Sequence, residues 1–138
     1  MKHLLTILLI TCFLTGSLSL ISCQPGGPET VLLQGGVTIG PISPVEVPGE
    51  SQPVPPEVFA SRKIIIYDES GKNLVREVYI TQIDQGATGY YTAQIAPGTY
   101  VVDINHIGID TSPDVPRKIT VSADETITID INIDTGIR

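Results

Sequence analysis

The stretch "TITIDINID" at residues 126–134 shows the period that decides the fold. Isoleucine occupies every second position, and threonine, aspartate or asparagine occupies the positions between. Successive side chains of a β-strand point to opposite faces, so this alternation predicts a strand with one buried and one exposed face. The predicted buried side chains are Ile127, Ile129, Ile131 and Ile133, and the predicted exposed ones are Thr126, Thr128, Asp130, Asn132 and Asp134.

Six earlier segments look like strands too, and they follow one another at short spacing. Hydrophobic residues make up 41% of the chain, but aromatic residues only 5%, so Ile, Val and Leu supply most of the apolar side chains. Beta-branched residues favour strands, and no segment has a helical period. The sequence therefore predicts an all-β, seven-stranded antiparallel β-sandwich. Its strands are expected at 31–39, 62–68, 74–83, 89–95, 99–107, 117–123 and 126–134.

Two features interrupt this series of strands. The segment 41–58 contains six prolines, and proline lacks the N–H that a sheet ladder needs. We expect a long extended loop of polyproline character here, wrapping one edge of a domain that spans 31–138. Gly35 and Gly36 lie inside the first strand and predict a β-bulge or a bend.

The N-terminal stretch "MKHLLTILLITCFLTGSLSLISC", residues 1–23, has the form of a secretory signal. Its end, Leu20-Ile21-Ser22-Cys23, resembles the signal of bacterial lipoproteins. The resemblance implies that residues 1–22 are removed and that the thiol of Cys23 carries a diacylglycerol. Residues 23–30 are then a lipidated flexible tether, since they hold glycine and proline without apolar periodicity. We expect the domain to be lipid-anchored on the extracytoplasmic side of a cell membrane, with that membrane as its first partner.

The stretch "GYYTAQIAPGTYVVDI", residues 89–104, resembles the prealbumin-like sandwiches, which include the carboxypeptidase regulatory-like domain. The Gly-Tyr-Tyr and Pro-Gly-Thr-Tyr elements carry this resemblance. They serve the fold rather than chemistry, and the family is functionally mixed, so the resemblance implies an architecture but no activity. We expect Tyr91 to lie in the core, and Tyr79 and Tyr90 to form a small exposed patch if Tyr90 faces outward.

The charge of the chain narrows the choice of partners. Its formal net charge is -7, and an acidic surface repels phosphate backbones, so nucleic acid is not expected as a partner. The sequence has no glycine-rich loop that cradles phosphate and no GxSxG elbow, so we predict no cofactor and name no catalytic residue.

One cluster of polar residues invites a functional interpretation. His106 lies close in sequence to Asp103, Asp110 and Asp114, and a histidine among carboxylates can bind a ligand or act as a general base. A histidine bonded at the rim of the core is the commoner arrangement. There is no second histidine after the leader, no cysteine after Cys23 and no EF-hand spacing, so we predict no metal site.

Two functions of different classes follow from the sequence. The first is a non-catalytic binding or structural module of the cell envelope, whose partner is another envelope protein or a surface polymer. The alternative is a small hydrolase or metal-dependent enzyme that uses His106 and the nearby aspartates.

Overall fold

The computed structural model describes residues 29–43 and 53–138. Within these ranges the chain forms nine strands and one short helix, so the all-β prediction is confirmed. The strands are β1 (Val31–Gly40), β2 (Lys63–Asp68), β3 (Leu74–Tyr79), β4 (Thr81–Gln82), β5 (Thr88–Ile95), β6 (Gly98–Ile104), β7 (Arg117–Val121), β8 (Thr126–Thr128) and β9 (Ile131–Asp134), and the helix is α1 (Pro56–Ala60).

The strands form two sheets. Sheet A has the order β4-β5-β1, with β8 and β9 both on the outer side of β1, and sheet B has the order β3-β2-β6-β7. Buried aliphatic side chains from both sheets make one continuous core, and the largest side chains within it are Tyr91 and Phe59. Burying apolar surface from two sheets against each other is the arrangement of a sandwich.

The predicted count of seven strands is wrong because two predicted strands are each broken in two. The segment 74–83 starts as β3 in sheet B and continues as β4 in sheet A, so the chain changes sheets at Ile80. The Ile80 side chain is buried, as suits a corner that passes over the core. The segment 126–134 breaks between β8 and β9.

The prediction of a purely antiparallel sandwich is also wrong. Both β8 and β9 run parallel to β1, with Leu33 opposite Ile127 and Val37 opposite Ile131. The two short strands keep one register along β1, so together they occupy the place of a single strand. Alternation of side chains is the same in parallel and antiparallel strands, which is why the pattern at 126–134 does not reveal the direction of pairing.

Gly35 explains why the ladder between β1 and this last strand is interrupted. A Cβ atom at Gly35 would lie 1.8 Å from the carbonyl oxygen of Ile129. That carbonyl turns inward and accepts a 2.9 Å hydrogen bond from the Tyr91 hydroxyl, while the Gly36 N–H donates to Asp130 Oδ1 at 2.8 Å. The predicted bulge is absent on the β5 side, where β1 pairs without a register shift. The glycine pair permits close approach of a second backbone instead.

The predicted faces are confirmed for most of the last strand. Ile129, Ile131 and Ile133 are buried, and Ile127 is half-buried near the end of the sheet. Tyr91 lies in the core, as predicted, and Tyr90 faces outward.

The proline-rich segment ends in a helix rather than in extended chain. The prediction of a loop over 41–58 is wrong for residues 56–58, because α1 begins at Pro56, and proline suits the first turn of a helix. The N–H of Val54 donates to the Gln85 carbonyl at 2.9 Å, and Phe59 is buried. Residues 53–60 therefore pack against the β4 end of sheet A, while residues 44–52 lie outside the described part of the chain.

Candidate functional site

The loop at 105–116 contains three of the four residues predicted to bind a ligand. It leaves β6 in sheet B, crosses to the outer edge of β9 in sheet A and returns to β7 in sheet B. Thr111 and Asp134 form an isolated antiparallel bridge, with N···O distances of 2.9 and 2.8 Å. The loop therefore spans both sheets, and its polar side chains lie where the two sheets meet.

Asp110 is buried in an ion pair with Arg62 that no local sequence pattern predicts. Its Oδ2 accepts a hydrogen bond from Arg62 Nε at 2.7 Å, and its Oδ1 accepts one from Arg62 Nη2 at 3.0 Å. The third guanidinium nitrogen, Nη1, donates to the Val58 carbonyl at 2.9 Å. The Arg62 side chain is 12% exposed, and the Asp110 side chain is 4% exposed. This bidentate ion pair joins the loop to the end of α1 and the start of β2. Both oxygens of the Asp110 carboxylate accept a hydrogen bond from Arg62.

His106 is held by hydrogen-bond acceptors on both sides of its ring. Nδ1 lies 3.2 Å from the Asp110 carbonyl oxygen, and Nε2 lies 3.1 Å from Asp103 Oδ1. The hydrogen bond to the Asp110 carbonyl and the negative charge of Asp103 raise the pKa of His106 above its ordinary value, and partial burial opposes them. An imidazole that faces two acceptors is best satisfied when both nitrogens carry a proton, so the geometry favours the imidazolium ion.

Asp114 lies apart from His106 and is bonded to the edge of sheet A. Its Oδ2 accepts hydrogen bonds from the backbone N–H of Asn132 at 2.8 Å and from Asn132 Nδ2 at 3.0 Å. With the Thr111–Asp134 bridge, this contact occupies backbone groups along the outer edge of β9. Unpaired edge groups are a template for association with other strands, so the loop protects this edge.

The four predicted residues thus do not converge on one point. Asp103, His106 and the backbone of Asp110 lie together, the Asp110 carboxylate faces Arg62, and Asp114 faces Asn132. A general base needs a ring nitrogen with a lone pair directed at the substrate, and both His106 nitrogens face acceptors instead. Among residues 29–43 and 53–138, no group of three or more His, Cys, Asp or Glu is placed to hold a metal ion.

A second candidate site lies on the outer face of sheet A. It is a shallow depression of about 230 Å³ over Gly35 and Gly36. The side chains around it are Gln34, Tyr90, Thr92 and Thr128. The sequence predicted that Tyr79 and Tyr90 form a small exposed patch if Tyr90 faces outward. Tyr79 lies on the outer face of sheet B, next to Lys63, so the predicted tyrosine patch does not form.

The predicted lipid-bearing residue Cys23 lies outside the described residues. Across the ranges that the structure describes, none of the helical segments has the length and hydrophobicity to span a bilayer. No protein-family model matches the chain, and no curated protein matches it significantly.

Proposed function

We propose that the chain is a membrane-anchored extracytoplasmic lipoprotein, whose domain is a non-catalytic binding or structural module of the cell envelope. Support for the anchor comes from the sequence Leu20-Ile21-Ser22-Cys23 at the end of an apolar leader. The two-sheet architecture is compatible with a prealbumin-like, carboxypeptidase regulatory-like sandwich, and that family is part of the proposal. The partner is another envelope protein or a surface polymer, because the net charge of -7 disfavours polyanions.

The non-catalytic part of the proposal rests on the hydrogen bonds that the polar side chains of the loop at 105–116 form within the protein. Each has a protein partner that fastens the loop: Arg62 for Asp110, Asn132 for Asp114, and Asp103 for His106. Both oxygens of the Asp110 carboxylate are bonded to Arg62, and both ring nitrogens of His106 face acceptors, so neither side chain directs a lone pair at a substrate. The loop is better suited to holding the two sheets together than to catalysis.

Mass spectrometry of the protein from bacterial membranes tests the anchor. We expect the intact mature chain to begin at Cys23 and to carry the added mass of a diacylglycerol. Cys23→Ser is expected to abolish the added mass, since position 23 then has no thiol to carry the lipid. Cys12→Ser is the matched control, because Cys12 lies within the predicted leader, and it is expected to change neither result. An unmodified Cys23 thiol in the wild type would refute the anchor.

Capture of partners from native membranes tests the module. We expect the anchored wild type to retain a specific envelope protein or polymer, and we expect His106→Ala to retain it equally well. A measurable hydrolytic activity that His106→Ala removes would instead favour the enzyme alternative.

A further inference from the structure

The outer face of sheet A differs in chemistry from the rest of the molecule. On three of its five strands, β5, β1 and β8, the side chains that point away from the core carry no charge. We call this surface the uncharged face and define it by its residues, which are Thr88, Tyr90, Thr92 and Gln94 on β5, Leu32, Gln34, Gly36 and Thr38 on β1, and Thr126 and Thr128 on β8.

The outer side of sheet B is charged by comparison. Sheet B carries the ion pairs Lys63–Glu77 and Lys118–Glu69 on its outer side, and the chain as a whole has a net charge of -7. The nearest carboxylate to the centre of the uncharged face is Asp130, and its Oδ1 accepts the Gly36 N–H. Asp130 thus borders this face with its carboxylate, and the remaining uncharged side chains suit a partner without charge.

The polar side chains of the uncharged face are also available to form hydrogen bonds with a ligand. Within the described residues, none of its threonine, glutamine or tyrosine side chains forms a hydrogen bond to another protein group. The contrast with the loop at 105–116 is direct, since there Asp103, Asp110 and Asp114 all have protein partners. Hydroxyl and amide groups both donate and accept, so they are free to bond a ligand that does the same.

The middle of the uncharged face has the shape to receive a ring. Gly36 lies opposite Tyr90, and because it has no side chain, it leaves the floor of the depression flat beside the tyrosine ring. Tyr90 is 47% exposed. In the next row of the sheet, Gln34 lies between Thr92 and Thr128. An aromatic ring, a flat floor and a row of uncharged polar groups thus occur together within about 230 Å³.

We propose that the uncharged face binds a neutral polysaccharide, with one sugar ring seated on Gly36 against Tyr90. The C–H face of a sugar ring packs on an aromatic ring, whose face is electron-rich, and its hydroxyls exchange hydrogen bonds with Gln34, Thr92 and Thr128. An anionic polysaccharide is disfavoured, because it meets the acidic chain without a cation to receive it. This inference rests on the proposed binding module and assigns its partner to the class of surface polymers.

Affinity electrophoresis of the full chain through gels that contain a soluble polysaccharide tests the proposal. The probes are glucomannan, a soluble β-glucan and dextran as neutral polymers, and polygalacturonate as an anionic one. We expect at least one neutral polymer to retard the wild type and polygalacturonate to have no effect. Tyr90→Ala is expected to weaken binding at least tenfold, while Tyr79→Ala, which removes an exposed tyrosine from sheet B, is the matched control and leaves binding unchanged.

Two further variants keep the test independent of folding. The chain has no Trp, so Tyr90→Trp places a single indole at the site, and its emission is expected to shift when the polymer binds. Thr92→Asp adds a carboxylate at an exposed position and is expected to abolish retardation while the domain stays folded, with a small fall in melting temperature because aspartate favours strands less than threonine. Failure of all three neutral polymers to retard the wild type would overturn the proposal, as would an equal loss of binding in Tyr79→Ala.

The proposed lipid-anchored module and the proposed polysaccharide site can be refuted independently. A chain that carries the lipid and retains an envelope protein, but binds none of the neutral polymers, contradicts only the assignment of the uncharged face. A chain that binds a neutral polymer through Tyr90 but carries no lipid supports the assignment and refutes the anchor.

Discussion

The hydroxyl of Tyr91 donates a 2.9 Å hydrogen bond to the carbonyl oxygen of Ile129, across the position where Gly35 lacks a side chain. Tyr91 lies opposite Gly35 on β5, and Ile129 lies between β8 and β9 on the other side of β1. This one bond therefore links the two neighbours of β1. It also satisfies a carbonyl that has left the ladder and that would cost about 1–3 kcal/mol if it were buried without a partner.

Replacing Gly35 is expected to disrupt this link. In Gly35→Ala, the added methyl would overlap the Ile129 carbonyl, and because that atom belongs to the backbone, the break between β8 and β9 must shift. We expect the free energy of unfolding to fall by about 3 kcal/mol, at the upper end for overpacking. Gly36→Ala is the matched control, since its methyl would meet only the Asp130 carboxylate, at 3.3 Å. Urea denaturation measures both variants, and equal losses would contradict this explanation of the glycine pair.

Breaking the Arg62–Asp110 pair is expected to destabilise the domain strongly. Each single variant, Arg62→Met or Asp110→Leu, leaves one buried group without its partner, and such changes typically cost about 3–5 kcal/mol. The double variant removes both charges and replaces them with apolar side chains. We therefore expect it to be closer to the wild type than either single variant. A double-mutant cycle by urea denaturation measures the coupling, and purely additive losses would show that the pair makes no net contribution.

The protonation of His106 is expected to stabilise the folded domain at mildly acidic pH. Its pKa in the folded state is raised, so its contribution to stability is complete below the unfolded value of about 6.5 and is lost as pH rises through the folded value. We expect the melting temperature to fall between pH 6 and pH 8, and we expect this fall to be smaller in His106→Gln. NMR titration of the ring measures the pKa directly, and a value below 6.5 would contradict the assignment.

Asp103→Asn provides the matched control for this pH dependence. The amide keeps an oxygen that can accept from His106 Nε2, but it removes the negative charge. We expect the pKa of His106 to fall part of the way toward its ordinary value, because the bond to the Asp110 carbonyl remains. An unchanged pKa would mean that the charge of Asp103 has no influence on the ring.

Removing the Asp114 carboxylate is expected to open the edge of β9. In Asp114→Ala, the N–H of Asn132 loses its acceptor, so its exchange with deuterium is expected to become faster, while amides in the central strands keep their protection. Asp114→Asn retains an acceptor oxygen and is expected to protect the Asn132 amide better than alanine does. Hydrogen exchange measured by NMR distinguishes the two variants, and unchanged exchange in Asp114→Ala would show that the loop does not cover this edge.

Much of the fold could be predicted from the alternation of side chains. The predictions that were wrong have physical causes. The isoleucines of 126–134 identify the buried face because a strand has a side-chain period of two, whatever its neighbours are. The direction of pairing depends on how the chain returns to β1, which alternation does not encode. The corner at Ile80 keeps the apolar pattern unbroken while the strand changes sheets, so nothing in 74–83 marks the break.

The candidate site was predictable only where contacts are local. Asp103 and His106 are three residues apart at the end of a strand, and the structure brings them to 3.1 Å. Arg62 and Asp110 are separated by 48 residues, and no local pattern pairs them. The uncharged face arises when side chains from three separate strands come into one plane. Its local signals in the sequence were the outward parity of Tyr90 and the exposed positions predicted for Thr126 and Thr128.

The parallel pairing of β1 with β8 and β9 has a mechanical consequence. β1 is the first strand of the described residues and β9 the last, and the two run in the same direction. A load applied between the ends of the domain therefore pulls these strands along their lengths in opposite senses. The three residue pairs with β8 and the four with β9 then share the force in shear, rather than peeling apart in turn as a hairpin would. If Cys23 carries the proposed lipid, a domain that is also held near its C-terminus resists tension along the direction of these strands.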